Sequence, residues 1–345
     1  MKMAAIATAI TTALVSGSAL AAEVYNSDGT SLNIGGRAEF RGDFIGKSSG
    51  AELDGSMDNN SRFRLNVGGN TQITNDLSGF AFYEAEQGVN SDGSGAGNSQ
   101  TDNFKQRYMY AGLQTNFGAI SFGRQDTALV QLSQMSDIAT YTGAQKEFID
   151  AGNEQANNNI LYTGMFADDA LSLKANAILS DEKNQNSYGV SGIYTLPMGL
   201  GIGLGYAGGE EWANNSGTET ADTSQFMGGL SYAVGQLYVA GTYTQGKFKE
   251  STGDVDFTGY EFAGQYKFDN GFVAQGVYAK QESDTSPTDS STLEKNNYVE
   301  LTGKYYFNNS IHSYLSYKFN MLKADSSSLS KDADDSLRLG LRYDF

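Results

Sequence analysis

The last residues of the sequence, SLRLGLRYDF, set the strongest constraint on what this chain can become. Leu337, Leu339, Leu341, Tyr343 and Phe345 alternate with Arg338, Gly340, Arg342 and Asp344. A period of two describes a strand with one apolar and one polar face. The same alternation recurs throughout. LNIGGRAEFRGDF sets Leu32, Ile34, Gly36, Ala38, Phe40 and Phe44 against Asn33, Arg37, Glu39, Arg41 and Asp43. RFRLNVGGNTQI sets Phe63, Leu65, Val67 and Gly69 against Arg62, Arg64, Asn66 and Asn70. GLGIGLGYAGG sets Leu200, Ile202, Leu204 and Tyr206 against a bare row of glycine, and TGYEFAGQYKF sets Tyr260, Phe262, Tyr266 and Phe268 against Glu261, Gln265 and Lys267.

Read this way, the chain carries sixteen strands, at 31–45, 60–73, 76–88, 103–116, 118–125, 157–166, 170–180, 186–196, 199–209, 223–234, 236–247, 255–268, 270–282, 295–308, 310–323 and 334–345. About ten residues let a tilted strand cross a bilayer's hydrocarbon, and these segments suffice. Their connections alternate. Short turns (74–76, 115–118, 196–199, Val234-Gly235, 269–271, 308–310) are interleaved with long polar stretches such as 89–102 and 281–296. One rim of turns and one of loops is the connectivity of an up-and-down antiparallel barrel. The only two prolines, Pro197 and Pro287, fall in a turn and a loop, outside every strand.

Polarity decides which solvent the barrel lives in. A soluble sandwich would turn its apolar stripes onto one another. Here one face carries aromatics near strand ends (Phe40, Tyr206, Tyr232, Tyr243, Phe268, Phe307), as interfacial girdles require. The other carries Arg, Lys, Glu, Asn and Gln in numbers that no dry core could satisfy. The reading is an all-β, sixteen-stranded antiparallel transmembrane barrel, apolar outside and water-filled inside. After the N-terminus no apolar run reaches the roughly twenty residues a membrane helix needs.

The first residues have the form of a signal peptide: Lys2, an apolar stretch from Met3 to Val15, and Ala19-Leu20-Ala21 as a cleavage site. Cleavage after Ala21 would leave residues 22–345 as the barrel and, with Lys2 gone, move the formal charge from −17 to −18. So acidic an exported chain has no electrostatic case for binding nucleic acid. The absence of Cys fits an oxidising compartment or a fold needing no staples, and it removes thiolate metal sites and cysteine nucleophiles. The single histidine, His312, follows a short turn and so lies at the periplasmic rim. A barrel hydrolase needs its catalytic groups near the outer leaflet, so His312 with Ser310 or Ser313 reads as an ordinary rim residue. Acid runs at 210–211 and 331–335 lack the spacing of a calcium loop. An enzyme is not expected, nor is a cofactor or a dedicated metal.

At this point the chain resembles the general porins of Gram-negative outer membranes, most of all the OmpU-like major porins of marine gammaproteobacteria. The resemblance is carried by AEVYNSDGTSLNIGGRAEF, RLNVGGNTQITNDLSGFAFYEAE, RYMYAGLQTNFGAISFGRQD, DIATYTG, SYLSYKFNMLKAD and LGLRYDF, in order along essentially the whole mature chain. It implies a homotrimer in outer-membrane lipid and lipopolysaccharide, with periplasmic termini. It also implies that ions and small hydrophilic solutes pass by diffusion, and that a third loop folds into the lumen. In such proteins the terminal aromatic is read by the outer-membrane assembly machinery, which gives Phe345 and Tyr343 a second role beside the girdle.

The third long connection, 126–156, holds Leu129, Val130, Leu132, Met135, Ile138, Tyr141, Phe148 and Ile149. A loop standing in water would not carry them, so it packs on the barrel wall or on a neighbouring subunit. By resemblance, Asp137 takes an acidic constriction position and Tyr141 the second, where the enteric pattern has an acid. Arg37, Arg64 and Arg107 take the basic wall positions, with Lys105 beside Arg107. A further basic position falls near Gln155, which weakens the cluster. Glu147, Asp150 and Glu154 would add negative charge. The plain alternative for each arginine is a lumen residue satisfied by Glu39, Glu84 or Glu86. Opposed charge across a watery neck separates ion paths. Acidic mouth residues (Glu52, Asp54, Asp58, Glu210, Glu211, Glu219, Asp222, Asp332, Asp334, Asp335) favour small cations. A surface barrel serving adhesion, or a substrate-specific channel, uses the same loops and stays open as an alternative.

Overall fold

The computed structural model describes residues 21–47, 50–53, 57–90, 100–101, 104–146, 148–180, 185–212, 219–286, 289–322 and 334–345. The proposed signal peptide, apart from Ala21, lies outside them, as do Asp54, Glu147, Pro287 and Asp332. A short strand, Ala22–Ser27, precedes the wall and pairs with the start of its first strand. The wall strands are β1 Thr30–Lys47, β2 Arg62–Thr74, β3 Leu77–Asn90, β4 Lys105–Thr115, β5 Gly118–Gln125, β6 Ala156–Phe166, β7 Leu171–Ile178 and β8 Ser187–Thr195. They continue as β9 Leu200–Trp212, β10 Thr220–Val234, β11 Leu237–Glu250, β12 Gly253–Lys267, β13 Phe272–Ser286, β14 Asp289–Tyr306, β15 Ile311–Asn320 and β16 Ser336–Asp344.

Each wall strand pairs antiparallel with the next, and β16 returns to β1 in register from Arg37↔Asp344 to Ile45↔Ser336. Closure removes both free edges, which is what lets a sheet sit in hydrocarbon without orphaned peptide groups. Phe345 extends the seam: its N–H donates to the Gly36 carbonyl (3.1 Å) and its carbonyl accepts from the Gly36 N–H (2.8 Å). Its ring lies over Gly36, where a Cβ would come within 2.8 Å, and stacks between Phe63 and Tyr343 at centroid distances of 6.1 and 6.0 Å.

Burial follows the alternation but with the sense of a membrane barrel. Leu204, Phe262, Leu301 and Leu315 are each more than half exposed, whereas Gln225, Thr244, Glu261, Glu300 and Ser316 are fully buried on the other face. All sixteen expected strands are present, but several ends differ. The stretch 281–296, expected as a loop, is mostly strand, since β13 runs to Ser286 and β14 begins at Asp289. Likewise β11 and β12 are joined by residues 251–252 alone. Past the membrane boundary water is on both sides, so the apolar period vanishes while ladder hydrogen bonds continue. A further tight turn at 167–170 sets Ala167, Asp168 and Asp169 at φ of 55°, 54° and 68°.

The buried apolar cluster is not the barrel's own. It joins Leu129, Leu132, Met135, Phe148 and Ile149 of the connection between β5 and β6 to Ala207, Met227 and Phe257 on the wall's polar face. The Phe148 ring stacks on Phe257 at 4.6 Å. The bare glycine row is the seat for this packing. A Cβ at Gly205 would lie 2.8 Å from Leu132 Cδ1, and one at Gly229 would lie 2.6 Å from Met135 Sδ.

Candidate functional site: a charged neck

Register brings the basic residues together. Arg37 on β1 lies directly opposite Arg64 on β2, and Arg64 opposite Glu86 on β3. Like charges across a ladder repel, and two carboxylates interleave to offset them. Glu86 accepts from Arg64 Nη2 at 2.6 Å and Nε at 2.9 Å, and lies 3.7 Å from both Arg37 and Arg62. Glu84 accepts from Arg107 Nε at 2.8 Å and meets Arg64 Nη1 at 3.3 Å. A register shift at Glu84/Ala85 leaves Arg107 without a ladder partner and turns it in beside Tyr108, which faces Glu84. Arg62 adds a separate pair with Glu39 at 2.5 Å. The carboxylate-satisfied alternative therefore holds for Arg64 and Arg107, while among the described residues Arg37 has only the long Glu86 contact.

A cavity of about 550 Å³ joins Arg37, Arg64 and Arg107 to Asp137 and Glu154 of the 126–155 connection. Asp137 is held there by Thr142 Oγ1 (2.7 Å) and by Lys146 Nζ (2.8 Å), which also donates to Glu154 at 2.7 Å. Asp126 lies at the root of the connection. It accepts from Tyr108 OH (2.9 Å) and from the N–H of Gln155 (3.2 Å), a residue at φ +56°, so one carboxylate joins the two ends. Burial, then the charge of Glu154, pushes the Asp126 carboxyl above its ordinary range.

The other expected residues stand elsewhere. Lys105, at the start of β4, is exposed and in register with Glu86, outside the cavity lining. Tyr141 does not share Asp137's cavity. Its ring lies beneath the Arg338 guanidinium at 3.9 Å, with Lys318 at 5.6 Å, and Arg338 in turn forks onto Asp43 at 2.7 and 3.0 Å. Asp150 is exposed, its N–H donating to Glu211 at 2.8 Å. His312 stacks on Tyr306 at 4.7 Å, with Asp344 3.9 Å from Nδ1.

Sequence reasoning missed the residues that hold the connection down. Glu300 Oε1 accepts from Thr140 N and Oγ1 (both 2.9 Å) and its Oε2 from Tyr141 N (3.0 Å), with Thr302 Oγ1 at 2.7 Å. Gln275 donates to the Ile138 carbonyl (2.8 Å), Arg338 to Thr140 O (2.5 Å) and Tyr298 to Tyr141 O (2.5 Å). Glu261 Oε2 accepts from Gly143 N (3.3 Å). Glu261 and Glu300 had a legible signal: each is an acid on the inward parity of its strand, far from any turn.

A closed antiparallel barrel, apolar outside and charged inside, defines a membrane channel. A match to the Gram-negative porin family spans residues 4–344, and the chain belongs to that family. It is 33% identical to porin-like protein L of Photobacterium profundum, covering 99% of this chain and 98% of that one. It is also 33% identical to outer membrane protein U of Vibrio parahaemolyticus over the full length of both. Among solved structures, OmpF of Salmonella typhi in complex with daunomycin superimposes with a TM-score of 0.78 at 20% identity, covering 94% of this chain and all of that one. The anion-selective porin of Comamonas acidovorans gives 0.70 at 18%, covering 92% and 100%. The trimer form of Vibrio cholerae OmpT gives 0.69 at 18%, also covering 92% and 100%. The protein is an outer-membrane porin, a channel for passive diffusion.

Proposed function

We propose that the connection 126–155 lies in the lumen and narrows it, and that ions and small hydrophilic solutes cross with a modest preference for cations. The observation that carries this is the shared cavity: three arginines of β1, β2 and β4 face Asp137 and Glu154 across about 550 Å³. At that neck the charges nearly cancel. Glu84 and Glu86 leave the three arginines with about one positive charge, and Lys146 leaves the pair Asp137 and Glu154 with about one negative. The other charges lining the cavity are offset, Arg342 by Asp344 and Lys174 by Asp126. The mouth then decides. Glu210, Glu219, Asp222, Asp334 and Asp335 lie at or near the ends of β9, β10 and β16 on the long-loop rim. Their field reaches about 10 Å at 0.1 M salt and concentrates cations there. Planar-bilayer recording in a salt gradient tests this. The reversal potential should indicate cations at low salt, move toward anions in Asp137→Asn and toward cations in Arg64→Ala. An anion-selective wild type at low salt would overturn the charge argument.

The same reading extends to assembly. Small outward residues (Ala38, Gly69) on β1 and β2 would let neighbouring barrels approach in a homotrimer embedded in lipid and lipopolysaccharide, whereas Gly36, expected to join them, is covered by the Phe345 ring. Phe345 and Tyr343 would present the assembly signal before the β1–β16 seam closes.

A further inference from the structure

Lys146 is a residue for which a spacer has no use. It ends a single 3-10 turn, Ala144–Lys146, and its side chain is only 12% exposed, yet its ammonium lies between two loop carboxylates that face the neck. The backbone is shaped to permit this. Gly143 has φ +98°, and a Cβ there would fall 2.6 Å from Asp137 Oδ2 and 2.9 Å from Lys146 Nζ. Thr142 completes the arrangement, accepting from Ala139 N (3.1 Å) while donating to Asp137. Burial alone would lower the ammonium's pKa, but Asp137 and then Glu154 outweigh it and hold it above the ordinary lysine range. The charge therefore persists at every pH at which the barrel operates.

We infer that Lys146 is a selectivity-determining residue: by bridging Asp137 and Glu154 it halves the negative charge this pair presents to the arginines and holds the neck near neutrality. This rests on the reading that neck charge governs ion preference. With Lys146 present the pair Asp137 and Glu154 carries about one net negative charge. Without it, two carboxylates about 20% exposed stand bare. A unit charge some 6 Å from the ion path, in water and partly screened, alters the cation-to-anion permeability ratio about threefold.

The experiment compares reversal potentials in planar bilayers for the wild-type trimer, four variants at Lys146, and Asp137→Asn and Arg64→Ala as references. Lys146→Gln should raise the cation-to-anion ratio about threefold with open-channel conductance close to wild type. Lys146→Arg should leave the ratio unchanged. Lys146→Gln combined with Glu154→Gln restores one net negative charge, so the ratio should return toward wild type, which a merely structural role for Lys146 would not produce. Lys146→Met keeps the packed stem and should reproduce the shift, covering the case in which the glutamine variant assembles poorly. If Asp137→Asn and Arg64→Ala move the potential while neither Lys146 neutralisation does, or if the double variant stays as shifted as the single, Lys146 has no such role. If none of these variants moves it, neck charge itself does not govern selectivity.

Discussion

Glu300→Gln should loosen the third connection without disturbing the barrel. Glu300 is fully buried and accepts two backbone N–H groups, of Thr140 and Tyr141, together with two threonine hydroxyls. Glutamine retains one oxygen and turns an NH2 toward a donor. One buried N–H then loses its acceptor, at about 1–3 kcal/mol. The surviving bonds lose charge assistance, roughly another 1–2 kcal/mol together. Glutamine also spares the burial of a charge, but the carboxylate is fully hydrogen-bonded, so relief on that side is small beside a donor facing a donor. A net loss of about 3 kcal/mol raises the undocked population about a hundredfold, at 1.4 kcal/mol per decade. Glu300→Ala, which orphans both N–H groups, should do more. Single-channel recording should show added open-state noise and more frequent partial closures, growing from wild type to Gln to Ala, while trimer yield stays near normal. Both variants showing wild-type noise and conductance would refute the reasoning.

Adjacent glycines should respond oppositely to the same change. Gly229→Val drives a branched side chain into Met135 Sδ and should lower thermal stability by about 1–3 kcal/mol with altered conductance. Gly228→Val points outward, where its Cβ would be 3.6 Å from Leu204 Cδ2, and should be nearly silent in a melting assay. Deleting Phe345, or replacing it by Asp, should cut outer-membrane yield far more than it changes single-channel conductance; normal assembly of the truncated chain would remove the signal reading. In mild detergent, sedimentation should give the mass of a trimer that dissociates only on heating.

The architecture was legible from the residues because a barrel in lipid is governed by local rules. Each strand must be about ten residues long, alternate, and end in a turn, so sixteen period-two segments imply the wall. The inside-out sense was legible too, from arginines and glutamates that no dry core could accept. Strand ends above the membrane were not, since 281–296 has no apolar period once water bathes both sides. The row Gly201, Gly203 and Gly205 was visible but mute. Its purpose depends on Leu132 and Met135, some seventy residues away in sequence, arriving at that face.

The neck divides in the same way. Parity along β1 and β2 was enough to place Arg37 and Arg64 inside, because alternation is a property of one strand at a time; Arg107 has the outward parity of β4 and turns in only through the register shift at Glu84/Ala85. Their net charge was not readable, because Glu84 and Glu86 neutralise them through cross-strand register and a bulge beside Arg107, which depend on how neighbouring strands slide. Tyr141, expected opposite the arginines, is instead drawn to Arg338 and Glu300 on β16 and β14, and Lys146 is drawn between Asp137 and Glu154. A loop has no period to carry such information. Where its charges fall is decided by which wall groups can take up its buried N–H and C=O groups, and those partners exist only once the barrel has closed.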